Sequence, residues 1–158
     1  LIALQKNGEA VLGIMNQPYV GERFIGTPEG TTLNGEAINS RACPAFEHAR
    51  LGITEEAMMQ TDAQRRVYKM IADQVGYLRL GGDCYNYALL AAGHIDLVIE
   101  GDLMPWDIQA LIPIVEGAGG IITLWDGAPI RAGGWVVAAG DADLHARAVD
   151  ILKDAASD

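Results

Sequence analysis

Leu103-Met104-Pro105-Trp106-Asp107, followed by Ile108-Gln109-Ala110-Leu111-Ile112-Pro113-Ile114-Val115-Glu116, Gly117-Ala118-Gly119-Gly120 and Ile121-Ile122-Thr123-Leu124, is the stretch that decides the fold of this chain. A Pro just ahead of an Asp, a helical apolar run and glycines after its last turn are start and stop signals in the right order. They predict a helix over 108–118 and a strand over 121–124. Asp107 then stands where the positive end of a helix favours negative charge, and where a cation and a phosphate could be held together. Its ordinary role would be that of a helix N-cap. The surroundings add to this: Glu100 ends the apolar run Ile95-Asp96-Leu97-Val98-Ile99, a buried strand that brings a second carboxylate to the same region, and Asp102 lies between. Open α/β sheets place ligands at the carboxyl ends of their strands.

Upstream of this stretch the chain is first β-rich and then alternating. Ile2–Gln5 and Ala10–Asn16 flank Asn7-Gly8, a hairpin turn signal; Glu22–Thr27 and Thr31–Leu33 flank Pro28-Glu29-Gly30; Asn34-Gly35 leads into Glu36–Asn39. An antiparallel meander is expected, then a loop over Arg41–Glu47 and a strand over Ala49–Ile53. Thr54-Glu55-Glu56 reads as a helix start. Asp62 reads as the cap of a second helix reaching Val75, with Val67, Met70, Ile71 and Val75 on one face. Tyr77–Leu80 reads as a strand, Gly81-Gly82 as a tight turn and Asp83–Ala92 as a helix. Past the deciding stretch, Trp135–Ala139 reads as a strand and Asp143–Ala155 as a final helix. The alternation indicates a layered α/β sheet, and nothing in it marks an internal boundary within 1–158.

Gly81-Gly82 precedes a helix, so the turn serves either packing or a bound anion. Gly117–Gly120 and Gly133-Gly134 lack dinucleotide or P-loop spacing. Asp83 would cap the helix that opens at Cys84. His94 lies at a helix end, where the dipole favours a partly charged imidazole. His48 and His145 are placed in a loop and on a surface helix. Cys43 and Cys84 are the two cysteines, too few for a disulfide framework and without zinc spacing. Cys84 reads as a small core residue, and a reducing cytoplasm is the default.

Trp106-Asp107 with Ala110, Pro113, Ile114, Val115 and Ala118-Gly119-Gly120 resembles the C-terminal signature of the inositol-monophosphatase-like, metal-dependent phosphatases. Leu80-Gly81-Gly82-Asp83-Cys84-Tyr85, with Leu89 through Glu100, resembles the histidinol-phosphate phosphatase branch; many other members carry Gly-Thr-Ala or Gly-Ser-Ala where this chain has Gly81-Gly82-Asp83. The resemblance implies an αβαβα sandwich and hydrolysis of a phosphate monoester assisted by two or three Mg²⁺ ions, which activate a water for in-line attack and stabilise the leaving alkoxide. It implies that Asp107 is a catalytic metal ligand, and Trp106 is expected to pack under the metal site. It further implies that Gly81, Gly82, Asp83 and Glu100 bind substrate, with Asp83 pairing with the ammonium or imidazolium of histidinol phosphate.

The family's Glu-Glu pair and Asp-Pro-Ile-Asp-Gly-Thr-like loop, which supply most metal ligands, are not in this chain. The opening Leu1-Ile2-Ala3-Leu4-Gln5 reads as strand interior, so the chain is expected to be the C-terminal part of a longer enzyme, inactive alone. A homodimer, or association with the N-terminal portion, is the expected assembly. Inositol, fructose-bisphosphate and nucleotide phosphatases are the alternatives within this chemistry; a non-catalytic interaction module is the alternative outside it.

The formal charge of −10 over 158 residues opposes binding to nucleic acid or anionic membranes. No apolar run is long enough to span a bilayer. Half the residues are apolar, enough for a sizeable core.

Overall fold

Two Asn-Gly pairs shape the first third of the molecule. Asn7 (φ +56°) with Gly8 (φ +83°), and Asn34 (φ +52°) with Gly35 (φ +93°), take the left-handed backbone of two-residue hairpin turns. They join β1 (Ile2–Lys6) to β2 (Glu9–Gln17) and β4 (Gly30–Leu33) to β5 (Glu36–Ile38), with β3 (Glu22–Thr27) between. The five strands pair in chain order as an antiparallel meander, as expected from the turn signals. The computed structural model describes residues 1–155.

A second sheet follows, made of β6 (Arg50–Ile53), β7 (Tyr77–Leu80), β8 (Leu97–Leu103), β9 (Ile121–Leu124) and β10 (Gly134–Ala139), in the spatial order β7-β6-β8-β10-β9. β6 runs parallel to both β7 and β8, while β10 is antiparallel to β8 and β9. The parallel connections carry α1 (Asp62–Ala72) and α2 (Tyr85–Ala91); α3 (Pro105–Ile108), α4 (Leu111–Gly117) and α5 (Ala142–Leu152) complete the set.

The layers follow from two cores. Met15 and Phe24 of the meander meet Tyr87, Leu90, Ile114 and Val115 of α2 and α4, which pack in turn on Val98, Val136 and Ala138 of the second sheet. On the other face of that sheet, Leu51, Ile53, Leu97, Ile99 and Val137 meet Val67 and Ile71 of α1 and Leu144, Ala148 and Leu152 of α5. The order is therefore meander, helices, sheet, helices. α4 lies directly on the meander because Gly13 and Gly26, opposite one another in β2 and β3, have no side chains; a Cβ on either would collide with the backbone of Ala110 or Ile114. The meander's other face carries Ile2, Leu4, Leu12, Ile14 and Ile25, aligned by register. Ile2 and Leu4 are 64% and 58% exposed, and among the described residues no helix covers them.

Several expected boundaries shift for identifiable reasons. Thr54-Glu55-Glu56 starts no α-helix, only a 3₁₀ turn over Glu56–Met58. The cap of α1 is Thr61, not Asp62: its hydroxyl accepts from Gln64 N while the Gln64 side chain accepts from Thr61 N. That helix stops at Ala72, short of Val75, and Met70 faces solvent. The helix expected over 108–118 begins earlier, at Pro105, and its hydrogen-bond ladder is interrupted at Gln109 and Ala110, although both remain αR. Pro113 contributes to the break, since it cannot donate to the Gln109 carbonyl and its ring crowds that carbonyl. The final helix starts at Ala142, capped by Asp141, whose carboxylate accepts from Asp143 N and Leu144 N.

One buried ion pair ties the two halves. Asp96, fully buried before β8, accepts from Arg41 Nε at 2.7 Å and Nη2 at 2.9 Å, and from Arg50 N at 2.8 Å. It anchors the crossing segment, in which Ser40 Oγ also donates to the carbonyls of Ala118 and Gly140. His145 is not on the surface: it is buried, its Nε2 lies 2.9 Å from Thr123 Oγ1, and burial lowers its pKa. Cys43 and Cys84 are both free, Cys43 buried and Cys84 half-buried. Among the described residues, no helix is long and apolar enough to cross a membrane.

Candidate active site

Three parallel strands end side by side, and the segments that leave them converge. β6 ends at Ile53 and is followed by Thr54; β7 ends at Leu80 and is followed by Gly81-Gly82; β8 continues past both and carries Glu100 within it. Glu100 is thus in mid-strand rather than at a strand end, because its antiparallel partner β10 extends the pairing through Val136 to Leu103. Thr54 links the three: its carbonyl accepts from Gly81 N at 2.9 Å, and its hydroxyl donates to Glu100 Oε1.

Glu100 is 1% exposed, so it lies behind the turn and not on an open surface. Burial raises its pKa, an effect partly offset by Thr54 and Tyr87 and reinforced by the nearby charge of Asp83. Among the described residues, the buried Tyr87 hydroxyl finds no hydrogen-bond partner of good geometry. It lies close enough to Glu100 that burial and this carboxylate together push the phenol well above its usual range.

The Gly81-Gly82 turn is left-handed throughout: φ is +81° at Gly81, +115° at Gly82 and +49° at Asp83. A left-handed Asp after two left-handed glycines is strained backbone at a site, which is where such strain concentrates. Asp83 is not the N-cap expected from sequence. α2 begins at Tyr85, and the Asp83 side chain, exposed, folds over only the next amide, accepting from Cys84 N at 2.7 Å. Tyr85, whose hydroxyl donates to Glu22 at 2.6 Å, ties this helix start to the meander; the carboxylate and burial push its pKa up to about 12.

Asp107 comes from the segment leaving β8. It is the third residue of α3 rather than its cap, and Oδ2 accepts from Met104 N at 2.8 Å. Its other oxygen accepts no hydrogen bond among the described residues, so one hard oxygen donor, of the kind Mg²⁺ prefers, remains available. That donor set fits a single ligand and no more, since no group of three or more His, Cys, Asp or Glu that could hold a metal occurs among the described residues. Trp106 does not pack beneath this position; it is 69% exposed. The structure therefore joins Gly81, Gly82, Asp83 and Glu100 in one cluster through Thr54 and sets Asp107 at the exit of the same strand layer, with no direct contact to them. Thr54 and Tyr87 carry no signal along the chain that marks them for this site; only their positions across the sheet reveal them.

Residues 1–156 match the inositol monophosphatase family model. The chain belongs to the inositol monophosphatase family. It is 42% identical to the bifunctional phosphatase IMPL2, chloroplastic, of Arabidopsis thaliana, over 97% of this chain and 47% of that protein. It is 31% identical to a histidinol-phosphatase of Chlorobaculum parvum, over 76% of this chain and 47% of that one. An inositol monophosphatase structure from Zymomonas mobilis superposes with a TM-score of 0.92 at 44% identity, covering 97% of this chain and 61% of that chain. The chain thus spans about half the length of these curated relatives. As a member of this family of phosphatases, it has the fold that its sequence signature implied.

Proposed function

We propose that the complete polypeptide containing this chain is a Mg²⁺-dependent phosphomonoesterase that prefers L-histidinol phosphate, and that it works as a cytoplasmic homodimer. The observation that carries the substrate is Asp83. It is an acid held by a left-handed turn at the ends of parallel strands, at the position where the resemblance to many other members implies a small neutral residue. An exposed carboxylate there suits the cationic end of an amino-alcohol phosphate. Gly81 and Gly82 bring bare backbone to the substrate, and Glu100, buried, backs the turn through Thr54 rather than touching the amine directly.

Asp107 is proposed to hold one of the metal ions. Such an ion, when bound, lowers the pKa of a coordinated water and neutralises charge on the phosphate. The chain's own part is to aim the Asp107 carboxylate, by tying one oxygen to Met104 N, and to present the substrate's amine side to Asp83. The remaining metal ligands, and the cover for Ile2 and Leu4 on the meander, are assigned to sequence outside these residues. The 158-residue segment alone is accordingly expected to release no phosphate from histidinol phosphate at millimolar Mg²⁺ in a phosphate-release assay, and the complete polypeptide to release it. Turnover by the isolated segment would refute the assignment.

Inositol 1-phosphate is the competing substrate, favoured by the 44% identity to the Zymomonas mobilis inositol monophosphatase. Asp83→Ala separates the two. Losing a charge-assisted contact should lower kcat/KM for histidinol phosphate by about 10- to 100-fold while leaving inositol phosphate within about 3-fold. Equal loss on both substrates would count against histidinol phosphate.

A further inference from the structure

Side chains on a helix lean toward its N-terminus, so a residue near the start of α2 covers the turn that precedes it. Asn86 does this. It is fully buried, and its Nδ2 donates to the Gly81 carbonyl at 3.2 Å. That bond fixes the orientation of the amide, because the flipped form would set two carbonyl oxygens against each other. Two glycines make room for it. A Cβ on Gly82 would collide with Asn86 Oδ1 and lie 2.9 Å from its Cγ, while a Cβ on Gly52, across the sheet, would lie 3.1 Å from the same Cγ. Among the described residues, Asn86 Oδ1 itself has no hydrogen-bond partner. A buried acceptor left unpaired is destabilising, and its presence in a well-packed layer calls for a compensating role.

We propose that Asn86 is a positioning residue for the substrate: it clamps Gly81, fills the space beneath Gly82 and so holds Asp83 in its left-handed, ligand-facing conformation. The inference rests on the reading of Asp83 as the group that meets the substrate. It assigns Asn86 no contact with substrate, from which its burial excludes it. A leucine at this position keeps the branched outline of the side chain, with a larger volume, but loses the bond to Gly81, and the turn is then free to relax toward ordinary backbone, carrying Asp83 with it.

The test is a double-mutant cycle in the complete enzyme, read on whichever phosphomonoester it hydrolyses fastest. Asn86→Leu should raise KM by about 10-fold with kcat within about 3-fold, and the rise should shrink below about 2-fold when Asp83 is already Ala. An undiminished rise in the Asp83→Ala background, or a loss confined to kcat, overturns the inference. Should Asn86→Leu fail to fold, Gly52→Ala, whose Cβ would press on the same amide from β6 with Ile95 as its other near neighbour, should show the same coupling to Asp83, and a lack of coupling there overturns the inference equally. The outcome is separable from the choice of substrate. Equal loss of amine-bearing and neutral substrates in Asp83→Ala, with coupling intact, discards histidinol phosphate and keeps the role of Asn86. Selective loss without coupling does the reverse.

Discussion

In the complete polypeptide, Asp107→Asn is expected to lower metal-dependent kcat by at least about 100-fold while leaving the thermal midpoint nearly unchanged. The substitution separates two roles that share one side chain. As a local fastener, Asp107 accepts from Met104 N at 2.8 Å, and an asparagine oxygen can accept the same bond. A purely structural role therefore loses only the favourable charge near the helix start, about 0.3–1 kcal/mol, and predicts a near-silent variant. As a metal ligand, Asp107 contributes a negative charge and a free oxygen, and the amide removes the charge. Magnesium titration monitored by calorimetry, together with kcat, reads the second role; activity within about 3-fold of the unmodified enzyme would confine Asp107 to the first. Asp107→Ala is the less informative variant because it also abandons the Met104 amide.

The largest effect on stability is expected at Asp96. Its carboxylate is fully buried, receives two bonds from Arg41 and one from Arg50 N, and stitches the segment leaving the meander to the start of β8. Asp96→Ala leaves a guanidinium and a buried amide without their acceptor. Removing one partner of a buried pair costs about 3–5 kcal/mol, and the lower end, about 3 kcal/mol, applies here because water can still reach Arg41. The Arg41 side chain is 40% exposed. In a domain of this size class that corresponds to a fall in Tm of roughly 6–12 °C. Denaturant unfolding should show a lowered midpoint with an unchanged slope; a loss below about 1 kcal/mol would mean that the pair is dispensable. Asp96→Asn should fall between, since its amide oxygen can serve only part of the three-donor set.

Much of the architecture is legible in the sequence because it is written in local chemistry. Asn7-Gly8 and Asn34-Gly35 specify hairpin turns whatever surrounds them, and both form. The glycines read as a helix stop do end α4, with Gly119 left-handed, and the strands of the second sheet fall within a few residues of where apolar runs place them. The boundaries that shift share another cause: two signals compete and the weaker one stands out in the sequence. Asp62 resembles a cap beside Thr61, yet only Thr61 has Gln64 three residues on to complete the reciprocal pair. Pro113 inside an apolar run is a sufficient warning that the helix ladder breaks. Met70 and Trp106 have the size of packed residues but are exposed, because burial depends on neighbours and not on size.

The candidate site divides along the same line. Asp83, Glu100 and Asp107, and the glycine turn, can be named from residue order because a signature of this kind is carried by spacing along one chain. What spacing cannot convey is that Glu100 lies buried behind the turn, that Thr54 joins it to Gly81, and that Asn86 occupies the room left by Gly52 and Gly82. Those relations span 46 residues between Thr54 and Glu100, and they exist only once β6 and β8 are paired. By itself the sequence determined the turns, the order of strands and helices and the family signature, since each depends on groups a few bonds apart. Tertiary structure alone decided which carboxylates are buried, which are open and which glycines exist to admit a neighbour, because desolvation and close approach are properties of packed surfaces, not of residue order.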